Sequence, residues 1–220
     1  MSEFQRPLPQ EKKSLETAME RDIASFERTI AAGNKVFAFE NGYEAPLKDG
    51  RFLNIFALCS SEGGGLESNG RKHLIVWAKL GDQVVCRRGV AMRYNGNYFS
   101  ASGAYIETDE DLRGKGIAGA VERFHSQAMQ GIADTSGKEI AEEVENANVE
   151  KLEEAFRRPD KYTPEQVAQF EAEQKAWRKL FSRENGYISN TKIYQPRPES
   201  ADKVKFQETD LNTVKNLLSN

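Results

Sequence analysis

Ile106-Glu107-Thr108-Asp109-Glu110-Asp111-Leu112-Arg113-Gly114-Lys115-Gly116-Ile117-Ala118 is the stretch on which the reading of this chain turns. An apolar strand-like run ends in acids, a basic residue follows, and a glycine-rich turn opens onto a helix. That helix is marked by Ile117, Ala120, Val121, Phe124 and Ala128, which recur at three- and four-residue intervals and form one buried stripe. Arg113-Gly114-Lys115-Gly116 therefore falls where a strand hands over to a helix N-terminus. There the first backbone N–H groups have no intrahelical partner and the helix dipole is positive, which suits a phosphate. Glycines let a ligand approach the backbone closely, and Arg113 and Lys115 add charge. The pattern reads as an anion cradle, against the plainer alternative of a turn that uses glycine for its positive φ.

The segments before the cradle read as strands and turns. Lys12 to Ala32 is an amphipathic helix, with Leu15, Met19, Ile23, Phe26 and Ile30 on one face and Gly33-Asn34 as its stop. Lys35 to Glu40 and Arg51 to Ser60 are strand candidates. Asn41-Gly42 closes the first, and Ser61 to Arg71 follows the second as a flexible hairpin connector. His73 to Leu80, Gln83 to Tyr94 and Tyr98 to Glu107 then form a meander through the hairpin turns Gly81-Asp82 and Asn95-Gly96-Asn97. Beyond the central helix, Gly137 to Val144 fits a short strand, although Ile140, Val144, Ala147 and Leu152 also fit a helical face. Thr163-Pro164 opens a further helix, Ile188 to Tyr194 and Val204 to Glu208 are closing strands, and the tail from Asp210 is a short helix or frayed end.

Composition narrows the classes. A chain of 220 residues can bury a full core in one domain. Charged residues make up 30%, yet the formal net charge is only −3, which argues against nucleic acid as a partner. No apolar run approaches a membrane span and no leader-like segment follows the N-terminus, so no membrane is expected. Cys59 and Cys86 lie in strand-like runs, which favours a reducing, cytoplasmic setting over a disulfide framework. With only His73, His125 and those cysteines, no metal site is expected.

Gly114-Lys115-Gly116-Ile117-Ala118-Gly119 spells the dinucleotide pattern G-x-G-x-x-G, but it follows a meander instead of the first strand of a βαβ unit. The stretch more closely resembles the GNAT superfamily of N-acetyltransferases, whose signature Q/R-x-x-G-x-G/A opens the central helix after a long strand. Here it is Arg113-x-x-Gly116-x-Ala118. Thr108 to Gly116 is similar to the family's V-x-P-x-Y-R-G-K-G without a gap, with Thr108, Glu110 and Leu112 in place of the valine, proline and aromatic.

The resemblance implies an α+β fold: a mixed, mostly antiparallel sheet flanked by helices, with an N-terminal helix and a helical insertion at about 138–175. It implies acetyl-CoA as co-substrate and an amine acceptor, which the insertion weakly suggests is a macromolecule. Ile106, Thr108, Arg113, Gly114, Lys115, Gly116, Ile117 and Ala118 are then the cofactor contacts. A homodimer is compatible with it. The proton-transfer groups depart from the family: Ser102 stands where a glutamate is common, and the terminal tyrosine position holds Ser182 or Phe181. Glu107 and Tyr187 are the catalytic candidates that remain, with Tyr105 a second of the same kind. The alternatives are a non-catalytic CoA-binding or interaction module on the same fold, and a nicotinamide-linked oxidoreductase.

Overall fold

The computed structural model describes residues 15–39, 43–143, 157–158, 160–169, 171–172, 191–198 and 206–219. In chain order these give α1 (Leu15–Ala31), β1 (Lys35–Phe39), β2 (Tyr43–Pro46), β3 (Phe52–Ser61), β4 (Lys72–Leu80), β5 (Gln83–Tyr94) and β6 (Phe99–Thr108). A 3₁₀ turn (Glu110–Leu112) leads into α2 (Ile117–Ser136), and β7 (Ile140–Glu143), β8 (Thr191–Tyr194), β9 (Phe206–Thr209) and α3 (Leu211–Ser219) follow. The strands form one sheet in the order β8-β7-β6-β5-β4-β3-β1-β9, with β2 paired to β3 beside this path. Every pairing is antiparallel except β6 with β7, which runs parallel around α2. The fold is thus α+β with a mostly antiparallel open mixed sheet, as the pattern of elements predicts.

The hairpins follow from local chemistry. Gly81-Asp82 joins the facing pair Leu80 and Gln83, with Gly81 at φ 60°. Between Tyr94 and Phe99, the Asn95 side chain accepts the amides of Asn97 and Tyr98 at 3.3 and 3.2 Å. The glycine-rich segment after β3 is ordered, contrary to its composition. Leu66 is buried in the core, and Ser61 Oγ donates to Gly65 O at 2.9 Å. The buried Lys72 ammonium donates to Ser68 O at 2.7 Å and lies 4.4 Å from the centre of the Phe99 ring. Buried carbonyls need donors, and one long cation supplies them here. Ile140–Glu143 is a strand, which decides between the two readings of that segment. Residues 164–169 are helical after Thr163, as expected of a Thr-Pro start. β2 had no sequence signal strong enough to expect it.

Two cores sandwich the sheet. One lies under α2, where the stripe Ile117, Ala120, Val121, Phe124 and Ala128 is buried as predicted. The other lies under α1 and α3, with Phe26, Ile75, Trp77, Val84 and Val214 at its centre. The central strands β4 and β5 are covered on both faces, so their apolar runs are nearly continuous instead of alternating. α1 is fixed to the sheet by a charge pair as well as by its apolar face. Arg87 of β5 donates from Nε and Nη2 to the two carboxylate oxygens of Asp22 at 2.5 and 2.6 Å, and both side chains are largely buried. Among the described residues no helix is long and apolar enough to cross a membrane.

Asp22→Ala strands the Arg87 guanidinium in this interface, so it is expected to cost about 3 kcal/mol. A fall in the urea midpoint with unchanged m-value checks this, and loss of α1 helicity alone is not the expected result.

Candidate functional site

The site begins in a slip of register. β5 and β6 pair from Tyr94↔Phe99 to Ala91↔Ser102, then resume at Gly89↔Tyr105, so Gly103 and Ala104 form a bulge with Gly103 at φ 66°. On its other side β6 pairs with β7 only from Phe99↔Ile140 to Ala101↔Glu142. From Ser102 to Thr108 that edge has no paired strand among the described residues. A fork therefore opens between β6 and β7. At six steps of about 3.3 Å its β6 arm is about 20 Å long, with backbone donors and acceptors along it.

The open arm runs straight into the cradle. Asp109 is the pivot: its amide donates to Val85 O at 3.0 Å, and its carboxylate accepts Asp111 N and Gln83 Nε2 at 3.0 and 3.1 Å. The polar run that separates strand from glycines is thus a hydrogen-bonded corner. Gly114 (φ 79°) and Gly116 (φ 88°, ψ 5°) are left-handed, which an L side chain resists. Open space surrounds both Cα positions, so it is backbone conformation, not packing, that demands glycine here. Gly116 caps α2 without any side-chain cap, and no acid lies in the first turn. The first intrahelical bond is Ala120 N to Gly116 O at 3.1 Å. The amides of Ile117, Ala118 and Gly119 have no intrahelical partner and no other backbone partner among the described residues.

The eight residues expected to hold a cofactor lie consecutively along this path: Ile106 and Thr108 on the open arm, Arg113 to Gly116 in the turn, Ile117 and Ala118 in the first turn of α2. Arg113 is exposed and Lys115 half-buried. Ile106 packs against the α2 core, and Thr108 Oγ1 lies 3.3 Å from Cys86 Sγ. Glu107 is on the opposite, α1-facing side of β6, half-exposed, 3.5 Å from Arg87. Tyr105 shares that side, with its ring under the Arg87 guanidinium at 4.5 Å and its hydroxyl buried against Gly89. Burial pushes the Tyr105 phenol up to about 12. The structure thus brings the eight expected contacts together along one path and sets Glu107 beside them on the other face. Tyr187, Phe181 and Ser182 lie outside the described residues. Ser102 is exposed at the bulge.

A buried ion cluster beneath the fork carried no sequence motif. Arg88 of β5 bridges Glu122 of α2 and Glu142 of β7, both at 2.6 Å. Tyr194 of β8 donates to the second oxygen of Glu142 at 2.8 Å, and Lys192 donates to Ser126 Oγ at 2.5 Å. All of the charged members are buried, and two cations balance two carboxylates. His125 is fully buried beside them, with Nε2 3.8 Å from Glu142. Neither ring nitrogen has a hydrogen-bond partner among the described residues. Burial, with Arg88 and Lys192 close by, holds His125 well below the usual histidine range. Burial raises Glu122 to about 7, an effect that the Arg88 charge limits. The signals were faint: one arginine at a core-facing position of β5, and Glu122 and His125 each next to a stripe residue. The described residues contain no cluster of three or more His, Cys, Asp or Glu able to hold a metal.

No protein-family model, no curated protein and no solved structure matches this chain.

His125 stays neutral in the fold but takes a proton in the unfolded chain below about pH 6.5, so its burial costs stability progressively as pH falls. His125→Leu removes that penalty and the two unpaired nitrogens. Its stability relative to the parent should grow by about 2 kcal/mol between pH 7.5 and 5.0. Glu122, which gains a proton in the fold below about 7, is common to both proteins and largely drops out of the comparison. Urea titrations at the two pH values measure the difference; a pH-independent gap is the contrary result.

Proposed function

We propose that this protein is an acyl-CoA-dependent N-acyltransferase of the GNAT kind, which moves an acetyl or other acyl group from CoA to an amine. The observation that carries the reading is the continuity of the fork and the cradle. A strand edge of about 20 Å, unpaired among the described residues, leads through the Asp109 corner to a helix start whose first three amides have no backbone partner among those residues and which carries two left-handed glycines. CoA has that shape: an extended arm with two amide groups, ending in a pyrophosphate. The arm extends β6 as an added strand through backbone hydrogen bonds. The pyrophosphate sits on the amides of Ile117 to Gly119, with Arg113 and Lys115 supplying charge. A dinucleotide site of the G-x-G-x-x-G type belongs to a parallel sheet, whereas the described strands contain one parallel pair.

In such an enzyme the amine attacks the thioester carbonyl directly, the C–N bond forms, and the C–S bond breaks with return of a proton to sulfur. Holding the two reactants in line supplies most of the rate. Glu107 is a half-exposed carboxylate of the arm itself and would take the amine's proton through water, since it faces away from α2. Ser102 at the bulge supports a second reading, a module that binds CoA without consuming it, because a hydroxyl there is no general base at neutral pH. The amine and the compartment, with a cytoplasmic setting the working assumption, belong to the same proposal.

Thermal melts with acetyl-CoA, CoA and NADH test it. Ligand at a hundred times its dissociation constant stabilises by about 2.7 kcal/mol, a rise of roughly 5–10 °C for a chain this size. Both CoA species should produce it and NADH should not. Arg113→Glu/Lys115→Glu, which changes accessible side chains and leaves the core intact, should abolish it. A shift with NADH alone, or with no ligand, overturns the assignment. Consumption of acetyl-CoA in the presence of amines then separates enzyme from binding module.

A further inference from the structure

The ion cluster under the fork joins four of the elements that surround the β6 arm. Arg88 comes from β5, Glu122, His125 and Ser126 from α2, Glu142 from β7, and Lys192 and Tyr194 from β8. Cys86 of β5 also faces it, a thiol that burial pushes up to about 12 and so leaves neutral. β6 stands between Arg88 and Glu142 in the sheet, so their side chains meet across it on the α2 side. Glu142 is the last β7 residue paired with β6. The cluster is thus anchored at the vertex of the fork, and through Glu122 it reaches the helix whose first amides form the cradle.

We propose that this cluster positions the cradle and the fork for one another, and that it takes up a proton at Glu122 when a pyrophosphate-bearing ligand binds at the start of α2. This rests on the reading of the cradle given above. Glu122 lies five residues beyond Ile117, about 8 Å along the helix axis. An anion on the Ile117–Gly119 amides would repel the Glu122 carboxylate through protein, where screening is weak.

Of the groups in the cluster, Glu122 is the one that yields. Glu142 accepts from both Arg88 and Tyr194, so both of its oxygens are engaged. A proton on His125 would add a third cation beside Arg88 and Lys192. Tyr194, buried and facing Glu142, resists ionisation. Glu122 has the Arg88 contact and no well-aligned hydrogen bond among the described residues. Its elevation to about 7 by burial places it where a modest push changes its state. Arg88 keeps its bond to Glu142 when Glu122 is protonated, so the vertex stays fastened.

Calorimetric titration with acetyl-CoA lacking the 3′-phosphate tests this, because its pyrophosphate diester and thioester do not titrate between pH 6 and 8. Run at pH 7 in two buffers of different ionisation enthalpy, binding should take up a fraction of a proton. Affinity should fall roughly three- to tenfold from pH 6 to pH 8, the scale of one such charge interaction. Glu122→Gln, which keeps the shape and a hydrogen-bond acceptor for Arg88, should bind with neither proton uptake nor pH dependence. Binding by the parent without proton uptake, or equal uptake by Glu122→Gln, overturns the coupling and leaves the cradle standing. Absence of binding at any pH overturns the CoA reading itself, and the coupling with it.

Discussion

The meeting of Arg88 and Glu142 across β6 is the contact on which the rest of the arrangement depends. Strands two places apart in a sheet are nearly 10 Å apart, and only long side chains on the same face can touch over the one between. Arg88 does so and holds Glu122 of α2 in the same grip. One guanidinium thereby ties together β7, α2 and the point where the β6–β7 pairing ends among the described residues. α2 is further tied to the chain after β8 by Arg197, which pairs with Asp134 at 2.7 Å, and by Gln130, which donates to Gln195 O at 2.7 Å.

Such a cluster is an expensive way to fill a core. Charges taken from water cost several kcal/mol each, and well-packed apolar residues are often at least as stable. The surrounding sheet can carry the cost because β4 and β5 are buried on both faces and packed by two cores. On the α1 side the same economy of cations recurs: Arg87, the next residue, is held by Asp22 and stacks on Tyr105. Adjacent arginines on one strand thus point to opposite faces and fasten one helix each.

The β4–β6 meander, its hairpins and the stripe of α2 were legible because each is a local property. Gly81-Asp82 and the Asn95 turn fix their hairpins whatever lies around them, and the period of Ile117, Ala120, Val121, Phe124 and Ala128 specifies a helix with one buried face. The path from Ile106 to Ala118 was legible for the same reason: all of its residues are contiguous. The cluster was not, because Arg88, Glu122, Glu142 and Tyr194 are far apart in the chain and none of them is unusual where it stands. Adjacent Arg87 and Arg88 in β5 were a hint, since a two-residue period forces one of them inward. Order in Ser61 to Arg71 was hidden likewise, because it depends on Lys72 reaching back to Ser68 O, a tertiary contact that composition cannot express.

The cluster's chemistry also explains why the fork stays a fork. Among the described residues three pairs join β6 to β7, and a parallel pair so short has little to fix its register. With apolar residues in place of the ions, β7 could slide or extend along the vacant edge, which is itself a template for further pairing. Moving β7 by one residue would turn Glu142 to the other face of the sheet, away from Arg88 and Tyr194, and leave Arg88 with one carboxylate instead of two. The ions thus make a one-residue slip far more costly than the observed register. They thereby hold β7 off the edge from Ser102 to Thr108, which has no paired strand among the described residues and lies beside the start of α2.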